Sequence, residues 1–121
     1  KAGVAERTVA VFGDSAFYHG GIVSLIQARA TRANLLIIVL DNGGALTTGG
    51  QSPPDRGLSL PDGAGPAVGI HDLATTCGVE SIWTLEEEDT EDRMRTVFRK
   101  ALATGDGLHM VIVRKVCKPI D

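Results

Sequence analysis

The chain has 121 residues, with 12 Lys and Arg against 15 Asp and Glu and a formal charge of −3. That is enough for one domain around one core, with neither the basic patch a nucleic acid partner requires nor a long acidic tail. The longest apolar run, residues 35–40, is far too short to cross a bilayer, and Cys77 and Cys117 stand far apart with no CxxC, which argues against zinc or iron–sulfur sites within the chain. No signal peptide is visible, and the two cysteines fit a reducing cytoplasm, the expected location. The first residue is Lys1 rather than Met, so residues 1–121 read as a single domain that is a fragment or subunit of a larger enzyme.

Residues 8–12 (TVAVF) are a short β-branched and apolar run ending at Gly13, a buried strand. After Gly13-Asp14-Ser15, apolar residues recur at Ile22, Leu25, Ile26 and Ala30, which predicts a helix starting near residues 18–20. Residues 35–40 (LLIIVL) are continuously apolar and suit a central parallel strand covered on both faces. It is followed by Asp41-Asn42-Gly43-Gly44. From Asn42 to about Val68 the chain is rich in Gly, Pro, Asp and Ser and reads as one long structureless stretch, a length that is more often functional than idle.

Ile70, Leu73, Ala74 and Cys77 mark one face of a short helix ended by Gly78. Residues 81–85 are a strand. Met94, Val97, Phe98, Ala101 and Leu102 form a helical stripe, with acidic residues before it and Arg99 and Lys100 near its end, a polarity that complements the helix dipole. Residues 108–113 are the last strand. The alternation of strands and helices predicts an α/β fold, a parallel sheet with helices on both faces. Ligands of such sheets sit at the carboxyl ends of the strands, where both Gly13-Asp14-Ser15 and Asp41-Asn42-Gly43-Gly44 fall.

Together these two turns offer the Asp14 carboxylate, the Asn42 amide oxygen and the Gly44 carbonyl. Magnesium prefers oxygen ligands, few from protein and the rest from phosphate and water. Gly13, Ser15 and the following helix N-terminus can present N–H groups to phosphate oxygens. Gly20 and Gly21 permit close backbone approach. Gly105-Asp106-Gly107 is a useful contrast, since it precedes a strand with no asparagine after it and reads as a helix-to-strand turn. Cys77 reads as core, His71 as a surface residue and His109 as a strand residue. His19 falls within the motif and is the one catalytic candidate.

Gly13-Asp14-Ser15, 26 intervening residues (16–41) and Asn42 resemble the thiamine diphosphate fingerprint, a GD[GS], a spacer of similar length and an asparagine. Residues 13–22 (GDSAFYHGGI), 41–53 (DNGGALTTGGQSP) and 110–117 (MVIVRKVC) further resemble the 2-oxo acid:ferredoxin oxidoreductases, nearest the large subunits of the indolepyruvate type. The resemblance implies the diphosphate-type thiamine diphosphate-binding fold, lacking the family's first strand upstream of Thr8.

It also implies side-chain ligation of Mg2+ by Asp14 and Asn42, a carbonyl ligand from Gly44, and diphosphate contacts from Gly13 and Ser15. Leu46 falls at the family's Met position near the thiazolium ring, and Thr48 in the T-G-x-Q element. The implied reaction is oxidative decarboxylation of an aryl-pyruvate-like 2-oxo acid, with electrons leaving through an iron–sulfur cluster on another domain or subunit. The implied partners are a pyrimidine-binding domain or subunit, which carries the activating glutamate, and an electron-transfer subunit or ferredoxin. A second reading is a non-oxidative decarboxylase of the sulfopyruvate or phosphonopyruvate type, which shares the TGGQ stretch at 48–51. A silent nucleotide-binding domain finds no support, since neither GxGxxG nor a Walker lysine motif is present.

Overall fold

The computed structural model describes residues 7–43, 59–60, 63–64 and 66–115. Four strands form one parallel sheet in the order β1-β2-β6-β5: β1 (Thr8–Gly13), β2 (Leu35–Asp41), β6 (Leu108–Arg114) and β5 (Ser81–Leu85). The two most buried strands, β2 and β6, take the two inner places. Their register runs from Leu35 beside Leu108 to Asp41 beside Arg114. Neighbours β1 and β5 pair outside them, with Gly13 beside Leu40 and Leu85 beside Val113.

Because side chains alternate across a strand, each inner strand feeds two cores. Ile37, Val39, Leu108, Met110 and Ile112 face one side. There they meet Phe17, Leu25 from α2 (Ile22–Ala30), and Ile70 and Ala74 from α3 (Ile70–Thr76). Leu36, Val111, Val113 and Leu85 face the other side, against Val97 and Ala101 of α4 (Glu91–Ala103). Helices thus cover both faces, as the alternating pattern predicts, and Cys77 packs at the margin of the first core.

The ends of these elements follow local chemistry. Thr90 caps α4, its hydroxyl accepting the Arg93 N–H at 3.2 Å, with Glu91 and Asp92 in the first turn. Replacing Thr90 with alanine removes the acceptor for an otherwise unpaired N–H. Urea unfolding is expected to register a loss of about 1 kcal/mol. Gly78 stops α3 at φ 88°, a left-handed conformation that suits glycine. Arg7 ties the start of β1 to the end of α4, donating to the carbonyls of Ala101 (2.8 Å) and Gly105 and to Asn34 Oδ1 (3.1 Å). His109 is indeed a strand residue. It is buried, and its Nε2 lies 3.0 Å from the same Gly105 carbonyl.

Three sequence expectations need correction. Residues 8–12 form a strand but not a buried one, since β1 lies at the end of the sheet order and leaves Val9 and Val11 exposed, at 43% and 59%. The first helix begins at Asp14, not near residues 18–20. A short α1 (Asp14–Ala16) runs through a π-helical turn (Phe17–Gly21) directly into α2. The buried positions, Asp14, Phe17, Gly21 and Leu25, keep helical spacing, but a carboxylate and a glycine fill two of them, so the apolar stripe is too sparse to mark the start. The 42–68 stretch is also not wholly structureless. It contains a small antiparallel pair, β3 (Ser59–Leu60) and β4 (Gly63–Ala64), whose two-residue strands are too short to carry a strand signature.

Candidate functional site

The site is built at the carboxyl pole of the sheet by the parallel pairing of β1 and β2. Gly13 lies beside Leu40, so the residues that follow, Asp14 and then Asn42, emerge from neighbouring strands whose usual spacing is about 4.8 Å. Gly13 is extended (φ −77°, ψ 160°) and Asp14 is the first helical residue. The α1 segment touches the end of β2. A side chain at Gly13 would meet nothing within 4 Å, so the backbone there borders open space.

Asp14 is only 2% exposed. Its Oδ1 accepts the Ser15 N–H at 2.7 Å, while Oδ2 is buried with no hydrogen-bond partner among the described residues. A buried carboxylate oxygen without a partner is costly, and such an atom calls for a ligand. The other unpaired buried atom among the described residues is His109 Nδ1, which belongs to the opposite end of the sheet, where β6 begins.

A second carboxylate, Asp41, is also buried, but its oxygens are engaged. Oδ1 accepts the Gly43 N–H at 3.2 Å and Oδ2 lies 3.4 Å from Arg114 Nε. The two carboxylates are therefore separated by their surroundings: Asp41 is satisfied within the chain, and Asp14 presents a free lone pair. One carboxylate with a neighbouring amide suits a hard cation that completes its shell with phosphate and water oxygens. Among the described residues no group of three or more His, Cys, Asp or Glu side chains gathers into an all-protein metal cage.

Gly13, Asp14, Ser15 and Asn42 are thus brought to one pole. Gly44, Leu46 and Thr48, with the rest of the TTGGQ stretch, lie outside the described residues. His19 is exposed on the π turn. Its neighbour Tyr18 donates its hydroxyl to the Val68 carbonyl at 2.5 Å, which anchors Val68 beside the helix that starts at Asp14. The Asp41–Arg114 pair escaped the sequence reading. Its only trace there is an acidic residue just before Asn42 and a basic one closing the last strand.

The Gly105-Asp106-Gly107 turn joins α4 to β6 at the amino pole, as expected of a helix-to-strand turn. An open crevice of about 480 Å³ lies at that pole, lined by Arg29, Arg32, Glu80 and Asp106 among others. Arg29 and Glu80 satisfy each other at 3.2 Å. The unpaired His109 Nδ1 at this pole is not part of the crevice's lining, and none of the lining residues has a buried unpaired side-chain atom, so the crevice is a poorer candidate than the carboxyl pole.

Residues 2–113 match the family model for the C-terminal thiamine pyrophosphate-binding domain of thiamine pyrophosphate enzymes. The chain is 38% identical over 109 residues to the indolepyruvate oxidoreductase subunit IorA of Thermococcus kodakarensis, covering 90% of this chain and 16% of that protein. It is 37% identical over 119 residues to the subunit of the same name from Methanothermobacter marburgensis, covering 96% and 18%. The chain therefore spans less than a fifth of the length of these relatives.

Among solved structures, a thiamin diphosphate-dependent enzyme from Mycobacterium smegmatis superposes with a TM-score of 0.65 at 22% identity, over 96% of this chain and 19% of that one. A 4-hydroxybenzoylformate decarboxylase from Rhodococcus jostii does so with 0.63 at 24%, over 94% and 20%. At these identities the superpositions speak for the fold alone, and it is the expected one. Since the match takes in residues 2–113, nearly the whole of this chain, the chain belongs to the C-terminal thiamine pyrophosphate-binding domains of thiamine pyrophosphate enzymes.

Proposed function

We propose that this chain is one domain of a thiamine diphosphate-dependent 2-oxo acid:ferredoxin oxidoreductase, nearest the indolepyruvate type, and that it holds the cofactor's diphosphate through magnesium. The observation that carries the site is the buried, unpaired Asp14 Oδ2 at the end of β1, beside the Asn42 turn that ends β2. Asp14 and Asn42 are read as side-chain magnesium ligands and Gly44 as the carbonyl ligand. Gly13 and Ser15 are assigned to the diphosphate, at a helix start where anions are favoured, although the Ser15 N–H itself is given to Asp14 Oδ1. Leu46 and Thr48 are assigned to the rest of the cofactor.

When bound, the cofactor supplies the nucleophilic carbon for decarboxylation of a 2-oxo acid, and the protein's part is to place and orient it. This chain orients the diphosphate end. Asp14 sets the cation's charge balance and the Gly13 backbone leaves room for the phosphates. His19 is retained as a candidate for contact with substrate. An aryl-pyruvate-like substrate is suggested by the names of the relatives, and a pyrimidine-binding domain or subunit elsewhere in the assembly by the resemblance of the motifs. An iron–sulfur cluster and a ferredoxin partner outside residues 1–121 complete the reading, with a cytoplasmic location. No helix among the described residues is long and apolar enough to cross a membrane.

The test is calorimetric titration of thiamine diphosphate and magnesium into the full enzyme, repeated with Asn42→Ala. Removing one amide ligand is expected to weaken magnesium-dependent binding by at least about tenfold. Unchanged affinity would mean that the Asp41-Asn42 turn is structural. Product formation from an aryl-pyruvate is expected to require an electron acceptor. Turnover without one would favour the non-oxidative decarboxylase suggested by the TGGQ stretch at 48–51.

A further inference from the structure

The parallel register brings three charged residues together just behind the Asn42 turn. Arg114 ends β6, the strand between β2 and β5, and lies directly beside Asp41. Glu86 follows the last residue of β5, itself paired with Val113. Arg114 reaches both neighbours. Its Nε lies 3.4 Å from Asp41 Oδ2 and its Nη1 donates to Glu86 Oε1 at 3.2 Å. The Asp41 side chain is 3% exposed, against 43% for Arg114 and 45% for Glu86, so the buried carboxylate is held by a guanidinium that is itself tethered at the surface.

The remaining Asp41 oxygen accepts the Gly43 N–H at 3.2 Å, in a turn where Gly43 adopts φ 78°. The backbone adds a further tie, since Lys115 N–H donates to the Asp41 carbonyl at 2.9 Å. The same carboxylate therefore joins Arg114 to the backbone of the turn that carries Asn42. Without the guanidinium, a buried negative charge would sit uncompensated one residue from Asn42. It would relax toward solvent or toward any cation at the pole, taking the Gly43 hydrogen bond with it. An arginine suits the task because its planar fork serves two carboxylates from fixed directions, whereas a lysine presents a single point charge.

We propose that Arg114 is a positioning residue for the cofactor turn: by holding Asp41 against Gly43, and being held by Glu86, it sets the magnesium affinity of the site without touching magnesium or diphosphate. The inference rests on the reading of Asp14 and Asn42 as magnesium ligands. It concerns neither of those residues, and its failure is separable from theirs.

The experiment measures the magnesium dissociation constant of the full enzyme at saturating thiamine diphosphate, with turnover followed as magnesium is raised. Arg114→Met is expected to weaken magnesium binding by about tenfold, the scale seen when an outer-shell partner of a metal ligand is lost. Arg114→Lys should remain within about threefold of the native enzyme, and Glu86→Gln should fall between the two. In each variant saturating magnesium should restore turnover, because the residue does not meet the reacting atoms. Native affinity in both Arg114→Met and Glu86→Gln overturns the proposal, as does a loss of turnover that magnesium cannot restore. Should Arg114→Met fail to fold, Glu86→Gln and Arg114→Lys decide, since each leaves Asp41 a cation. Asp14→Asn is run beside them. If it too leaves affinity unchanged, the ligand assignment itself has failed, whereas its loss of binding beside native affinity in the Arg114 and Glu86 variants removes only the positioning role.

Discussion

Replacing Asp14 with asparagine is expected to weaken magnesium-dependent thiamine diphosphate binding by on the order of 100-fold or more. Outer-shell changes around a metal ligand already cost roughly ten- to hundredfold, and this change removes the one buried carboxylate oxygen that the described residues leave unpaired. The fold of the cofactor-free protein should respond in the opposite sense. Asp14 is 2% exposed and one of its oxygens goes unpaired, so the carboxylate is a burden on the fold until a cation arrives. An asparagine keeps the shape and an acceptor for the Ser15 N–H while removing the charge. The cofactor-free variant should therefore unfold at the same or a slightly higher temperature than the native protein.

The stabilisation conferred by magnesium and thiamine diphosphate, about 2.7 kcal/mol when ligand is at a hundred times its dissociation constant, should disappear. Thermal unfolding with and without the two ligands reads both effects at once. A carboxylate that merely shaped a turn would give the reverse pattern, a destabilised free protein with its ligand response intact.

How much of this was legible in the sequence depends on which physical signal each part carries. The sheet was legible because β2 and β6 are buried on both faces, and strands in that position carry near-continuous apolar runs, broken in β6 by His109. The two motif turns were legible because parallel strands deliver their carboxyl ends to one pole, so the distance of 26 residues between Ser15 and Asn42 collapses to neighbouring strands. The start of the first helix was not. Hydrophobic periodicity reads a helix by what it buries in apolar contact, and two of the first three buried positions of this one are a carboxylate, Asp14, and a glycine, Gly21. The Asp41–Arg114–Glu86 network was invisible for a different reason. Its members are 73 and 28 residues from Arg114 along the chain, and only the strand order β2-β6-β5 makes them neighbours.

Phe17→Ala is expected to be the most destabilising single change near the site. Phe17 is fully buried between the first helix and the sheet, in the core with Leu25, Val39 and Ile112. Truncating a buried phenylalanine costs about 3–5 kcal/mol, a large part of the roughly 5–15 kcal/mol that holds a domain folded. The position gives the loss a functional consequence. Phe17 opens the π turn, and its carbonyl accepts the Ile22 N–H that closes it. Gly21 is the other side of the same contact, because a side chain there would meet the Phe17 ring at 3.3 Å. The ring stacks edge-on against Tyr18, with centroids 5.6 Å apart, and Tyr18 in turn anchors the chain at Val68.

Removing the ring thus loosens the segment that fixes Asp14 three residues earlier, as well as the anchor of Tyr18 on Val68. Urea unfolding should place the free variant several kcal/mol below the native protein, while magnesium and thiamine diphosphate should recover part of the deficit by mass action. Phe17→Leu, which leaves a smaller void, should fall between the two in both stability and affinity. A Phe17→Ala protein that loses stability yet binds the cofactor with native affinity would show that Asp14 is placed by the end of β1 alone. Parallel losses would make the π turn the link through which the core holds the cofactor site in shape.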